Sequence, residues 1–222
     1  MASDFAGDVE RERRRYADGE ARLPGISDPD ERQRQLTRMG NAATGAGLAL
    51  LMDGAGSDAA EWFGRAADRY RESFADAPSG SWGRPIGAVK ARLLADDTAG
   101  AERDARWALE VGAAGSDSPI GRYAACLALL VLGRDDEAHE AARSIEDRDD
   151  FPRDVASALS AIAAADGHAD EAAVVHVLDS FETRDVYLED VAVADTVLVL
   201  QALAERRGVG SPLRSSLLPS ER

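Results

Sequence analysis

Along almost the whole chain, apolar residues recur at spacings of three and four. No stretch alternates apolar and polar residues in a Val-, Ile- and Thr-rich run, and no Asn-Gly or Asp-Gly turn joins two such runs. A three-to-four spacing makes one stripe of a helix apolar, whereas a half-buried strand needs a period of two. The pattern therefore predicts an all-α fold. Start signals mark the helices. Asp28-Pro29-Asp30-Glu31 has an N-cap acid, a proline at N1 and a glutamate at N3, the order of a capping box. Asp58-Ala-Ala-Glu61 repeats the box, Ser118-Pro119 gives a cap and an N1 proline, and His168 reads as a cap before Asp170 and Glu171. About ten helices are expected, near 4–22, 29–52, 58–76, 82–95, 98–112, 118–132, 135–146, 152–165, 169–183 and 187–206. Their connections are short, as between antiparallel neighbours in stacked helical hairpins. The last of them holds Val197-Leu198-Val199-Leu200, apolar on all sides and so expected to be buried. A single domain over 1–208 is expected, with a loosely ordered tail over 209–222 pinned by Leu217 and Leu218.

The 222 residues carry 41 acidic and 26 basic side chains, a net charge of −15. All but one of the basic residues are arginine, the exception being Lys90. This acidity argues against binding to nucleic acid, which needs a surplus of cations on some face, and against docking on anionic lipid. Acid surplus with almost no lysine is the profile of a halophile. In molar salt the Debye length falls to about 3 Å and carboxylate repulsion is screened. A GC-rich genome also exchanges lysine for arginine, so both sources stay open. Cys126 is the only cysteine, so no internal disulfide is expected. Met1–Phe5 carry no basic stretch leading into an apolar run. The longest uncharged stretch, Met39–Met52, is fourteen residues with three glycines, too short and polar to cross a bilayer about 30 Å thick. A cytoplasmic protein is expected.

Gly133-Arg-Asp-Asp-Glu137-Ala138 and Gly167-His-Ala-Asp-Glu171-Ala172 share one pattern, 34 residues apart. Each follows an apolar helix and begins a more polar one. Weaker echoes stand at Asp96–Ala101 and Gly54–Ala60, at spacings of 37 and 41. Over 118–184 the chain resembles the tetratricopeptide repeat. The resemblance implies an α-α superhelix in which glycine makes the tight turn and alanine lets the two helices approach. The repeat's aromatic landmarks are missing from both copies. A second resemblance concerns the end of the chain, where Tyr187-Leu188-Glu189-Asp190 reads as opening a buried helix that closes with Ala202-Leu203-Ala204-Glu-Arg-Arg207-Gly208, followed by Leu217-Leu218-Pro219. This is similar to the all-α immunity proteins that accompany bacterial polymorphic toxins, and it implies a protein partner but no catalytic residues.

Candidate chemistry is sparse. His139, His168 and His176 are the only histidines. His176 and Asp179 share a helix face, but a bundle metal site needs three or four convergent ligands, and solvated or capping histidines are the better reading. The acidic clusters Asp96-Asp97, Asp135-Asp136-Glu137 and Asp147/Asp149/Asp150 fall at helix starts and turns, where acids complement the helix dipole. A calcium loop from Asp147 would need glycine where Pro152 stands and glutamate where Ala158 stands. No nucleophile elbow surrounds Ser81, and Cys126 lies in an apolar run that leaves a thiol inert. Lys90 follows Val89, not the glycine of a P-loop. Gly45-Ala-Gly47 reads as close helix packing and Gly54-Ala-Gly56 as a turn. Arg11, Arg13, Arg14 and Arg15 are interleaved with Glu10 and Glu12, as on an exposed, salt-bridged helix or a docking strip for an acidic partner. Trp62, Phe63, Tyr70 and Phe74 read as core on one helix. Trp82 lies in the small-residue loop Ser79-Gly-Ser81-Trp82-Gly83-Arg84-Pro85, the composition of an interface hot spot or of a plug between helical pairs.

The expectation is a non-catalytic helical-repeat protein, with no cofactor or metal, that binds a protein partner, a basic one being among the options left open. The expected contacts are Trp82, Arg84, Lys90 and Arg92. The alternatives are an immunity protein neutralising a toxin, and an all-α enzyme whose site is assembled from scattered acids and His176.

Overall fold

The computed structural model describes residues 4–220. Among these the chain forms ten α-helices and no strand: α1 Phe5–Arg22, α2 Pro29–Met52, α3 Gly56–Phe74, α4 Gly83–Leu94, α5 Thr98–Glu110, α6 Pro119–Val131, α7 Asp135–Glu146, α8 Arg153–Ala163, α9 Gly167–Glu182 and α10 Asp195–Glu205. This is the all-α array expected, with α2 and α7 bounded at the expected residues. The Asp28 carboxylate accepts the Glu31 N–H at 2.7 Å and the Ser118 hydroxyl accepts the Gly121 N–H at 3.1 Å. Each satisfies an orphan donor of a first turn that begins with proline.

Packing divides the chain into two compact units. One contains the described residues up to Asp97, with 185–193 and the described residues from Arg214 onward, and the other contains Thr98–Arg184 and Ala194–Leu213. In the first unit α1 and α3 both pack on α2, and α4 packs on α3. In the second, each helix from α5 to α10 packs on the next. No helix among the described residues is long and apolar enough to cross a membrane.

One turn recurs four times. After α2, α4, α6 and α8 a single residue takes a left-handed conformation: Gly54, Asp96, Gly133 and Ala165. The next helix then starts two residues later, at Gly56, Thr98, Asp135 and Gly167. At each turn the left-handed residue's N–H reaches back three residues, as from Gly133 to the Leu130 carbonyl at 3.3 Å. The following N–H reaches back five, as from Arg134 to the Leu129 carbonyl at 3.0 Å. This pair of bonds is a Schellman motif, and it satisfies carbonyls that the helix end would leave orphaned. The upstream echoes at Gly54 and Asp96 are thus the same turn as at Gly133.

The 34-residue displacement does not carry over to the structure. Gly167 is the first residue of α9, capped by the Asp166 carboxylate on the Ala169 N–H at 3.1 Å, and Ala165 takes the left-handed turn. Helices α7 and α9 therefore start 32 residues apart, at Asp135 and Gly167. Ala138 is fully buried while Ala172 is exposed. The cap expected at His168 is Asp166, and the box expected at Asp58 is absent, since α3 starts at Gly56 without a side-chain cap.

The largest departure is at 187–194. Tyr187–Asp190 do not open α10. Leu188–Asp190 form a single 3-10 turn with Glu189 and Asp190 both left-handed, and α10 begins at Asp195. The segment instead lies against α2 in the first unit. There the Glu189 carbonyl accepts from Arg11 at 2.9 Å and its carboxylate pairs with Arg15. Both arginines are held by Glu12, a fully buried carboxylate that accepts from Arg11 Nε and Arg15 Nη1, each at 2.8 Å. Tertiary ion pairs thus outweigh a local helix preference. Gly45 makes room for them, because a Cβ there would stand 3.0 Å from Glu12 and 3.2 Å from Glu189. In the tail, Leu217 and Leu218 are buried.

Candidate functional site

Of the residues expected as partner contacts, Arg92 and Arg84 are engaged by neighbouring helices. Arg92 is buried, with its guanidinium on Asp68 of α3 and, at 3.3 Å, on Asp97. It is a packing residue, and an arginine enclosed this far keeps its charge beside carboxylates. Arg84 donates to Gln33 of α2. Its Nε is buried without a partner, and burial lowers its pKa. Trp82 and Lys90 are half-buried, at the start and within α4.

The candidates for catalysis and metal binding are likewise scattered. His168 and His176 are exposed. His139 Nδ1 lies 3.1 Å from the Ser160 hydroxyl and 3.2 Å from the Ser160 carbonyl. Ser160 sits inside α8, where neighbouring N–H groups belong to the helix ladder and none is free to stabilise an oxyanion. Among the described residues no three His, Cys, Asp or Glu side chains gather as a metal site. The Cys126 thiol is fully buried against the Ala138 carbonyl, and burial pushes its pKa up to about 12 despite the opposing charge of Arg207.

What does converge lies between α1 and α3. Tyr16 of α1 and Trp62 of α3 meet edge to face, with ring centroids 5.3 Å apart. Each is nearly buried. Over Trp62 stand the guanidiniums of Arg65 and Arg13, 4.5 and 5.6 Å from the ring centroid. Arg69 lies 5.7 Å from the Tyr16 ring and donates to the Tyr16 hydroxyl at 3.0 Å. Flat arginine heads over electron-rich rings gain cation–π attraction and lose little freedom. Helical spacing produces the arrangement: Arg13, Tyr16 and Glu20 fall on one face of α1, as do Trp62, Arg65 and Arg69 on α3.

These side chains line an open groove of about 500 Å³, and Arg13 also borders a second of about 670 Å³ lined by Arg14, Leu50 and Asp58. No family model matches the chain, and no curated protein or solved structure matches it either. The groove's own chemistry is therefore what characterises it. Arg69 is committed, to Glu72 at 2.8 Å and Glu20 at 3.1 Å. Asp68 is neutralised by Arg92. Arg13 and Arg65 are held more loosely, by Asp58 at 3.8 Å and Glu61 at 4.0 Å, separations beyond hydrogen-bonding reach. Both are more than two-fifths exposed.

The basic run on α1 thus divides by face. Arg11 and Arg15 turn to Glu12 and Glu189, while Arg13 and Arg14 border the groove. Sequence reasoning read Trp62 as core and missed its arginine cover. The available signal was Trp62, Arg65 and Arg69 at spacings of three and four, but nothing local shows that α1 supplies Tyr16 and Arg13 across from them.

Proposed function

We propose that this chain is a non-catalytic protein-binding module, an α-helical array that docks a partner protein in the groove between α1 and α3. The observation that supports it is the Tyr16–Trp62 pair set rigidly beneath exposed arginines. Aromatic and arginine anchors at the centre of a patch are the usual carriers of binding energy between proteins. They project from rigid helices, so little side-chain freedom is lost on association.

The test is site-specific photocrosslinking in the intact chain. A benzophenone amino acid replaces Ala17, which is exposed and lines the groove, or Glu171 of α9 as a control far along the chain. One discrete protein adduct at Ala17, absent at Glu171, is the expected result. Equal labelling at both positions, or none at Ala17, contradicts it.

A further inference from the structure

The groove differs in polarity from the rest of the chain. The whole carries a net charge of −15, yet the groove is walled by Arg13, Arg65 and Arg69, and its acids are engaged: Glu20 by Arg69 and Asp68 by Arg92. Two guanidiniums, on Arg13 and Arg65, stand over one indole, and both side chains are more than two-fifths exposed. Their existing ion pairs, at 3.8 and 4.0 Å, would be shortened and strengthened by exchange for a carboxylate in hydrogen-bonding geometry.

The geometry points to a slot for an acidic segment of the partner protein, whose Asp or Glu carboxylates are engaged by Arg13 and Arg65. This rests on the protein-binding reading above and names the chemistry of what is bound. A guanidinium matches a carboxylate with two parallel N–H donors, and preorganisation on Trp62 removes part of the entropy of fixing it. The α3 wall of this groove runs from Trp62 to Arg69, about 10 Å of helix, long enough for about three residues of extended chain. A nucleic acid fits poorly. Trp62 is nearly buried and already covered by arginine, so it offers no face for a base to stack on.

The probe is acetyl-tetraglutamate amide, titrated into the full chain at about 0.3 M KCl, where the −15 charge is screened beyond about 6 Å. The readouts are the Trp62 indole and the Arg13 and Arg65 Nε–H resonances. Saturable shifts in these signals are expected, with affinity reduced about tenfold or more for acetyl-tetraglutamine amide and for the Arg13→Gln/Arg65→Gln chain. Arg13→Lys/Arg65→Lys keeps charge and fold but loses the paired donors, and it should also bind more weakly than the native chain. Equal affinity for the glutamate and glutamine peptides overturns the assignment, as does unchanged binding by either double variant. So does tighter binding of a single-stranded oligonucleotide, or of tetralysine, at these same resonances. A chain that crosslinks its partner at Ala17 but ignores tetraglutamate keeps the protein-binding reading and loses this one. A chain that binds tetraglutamate but crosslinks nothing keeps the carboxylate chemistry of the groove and loses the protein-binding reading, and with it the partner segment.

Discussion

Asp170 stands in α9 where Ala138 stands in α7. Each is three residues past its helix start, at Gly167 and Asp135, and each side chain is buried. The next buried positions correspond as well: Ala141 with Ala173, Ala142 with Val174 and Ile145 with Val177. Where one hairpin accepts a methyl group, the next encloses a carboxyl. Its Oδ1 has no hydrogen-bond partner, in a small cavity bordered by Glu171, Gln201 and Ser211.

Burial, with a smaller contribution from Glu171, pushes the Asp170 carboxyl up from 3.8 to about 6. A folded-state pKa above the unfolded one means that the native state binds the proton more tightly. Between about pH 4 and 6, falling pH therefore stabilises the fold through this group, and above pH 6 that contribution is lost. Asp170→Asn should stabilise the chain at pH 7.5 by about 1–2 kcal/mol, discounted for solvent at the cavity mouth. The gain should shrink towards zero at pH 4.5. Urea denaturation of both chains at the two pH values measures it, and an equal gain at both excludes this cause.

Tyr70 is enclosed between two glycines. A Cβ at Gly40 of α2 would come 2.9 Å from its ring, and one at Gly87 of α4 would come 2.7 Å from the ring. Its hydroxyl donates to Asn41 at 2.9 Å and lies 3.2 Å from the Thr44 hydroxyl. Gly87→Ala should cost about 1–3 kcal/mol, because a rigid ring cannot yield as a flexible side chain does. Tyr70→Phe, which keeps the ring and loses the hydroxyl bonds, should cost about 1 kcal/mol. Chemical denaturation ranks the two, and the reverse order would contradict the enclosure.

Left-handed turns at Gly133 and Ala165 are built alike but do not cost alike. Alanine at φ 52° carries a steric strain that glycine at φ 68° does not. Ala165→Gly should therefore stabilise the chain by about 0.5–1 kcal/mol, and Gly133→Ala should destabilise it by a similar amount. A thermal melt of each variant is sufficient, and opposite signs are the criterion.

Glu12 holds the two arginines that pin 185–193. With Glu12→Ala the guanidiniums of Arg11 and Arg15 lose a shared buried anion, at a cost of about 2–3 kcal/mol. Val186 is three-quarters exposed beside Asp185 and Tyr187, so release should also show as faster proteolysis in this segment. Mass mapping of early cuts tests this, and an unchanged cutting pattern would mean that the apolar contacts of Val191 and Val193 hold the segment alone.

The helices were legible because their signals are local. A capping box needs four residues and an amphipathic stripe needs two turns, and both lie within one stretch of chain, as at Asp28–Glu31. The turn motif was legible at Gly133, where glycine marks it, and illegible at Ala165, where the same backbone is imposed on an alanine by helices on either side. Misreading of 187–194 has the same origin. Its composition suits a helix, but Arg11 and Arg15, about 175 residues earlier, decide its conformation.

From the sequence alone came the all-α class, most helix boundaries, the acidity and the absence of any recognisable catalytic motif. Those properties depend on residues close together in the chain, or on mere totals. Only the tertiary structure decided that Arg92 is a packing residue, that Glu12 is buried, and that Tyr16, Trp62 and three arginines share one groove. Such groupings depend on how α1 and α3 lie along α2, and helix packing is selected by the summed burial of many side chains, which no short pattern encodes.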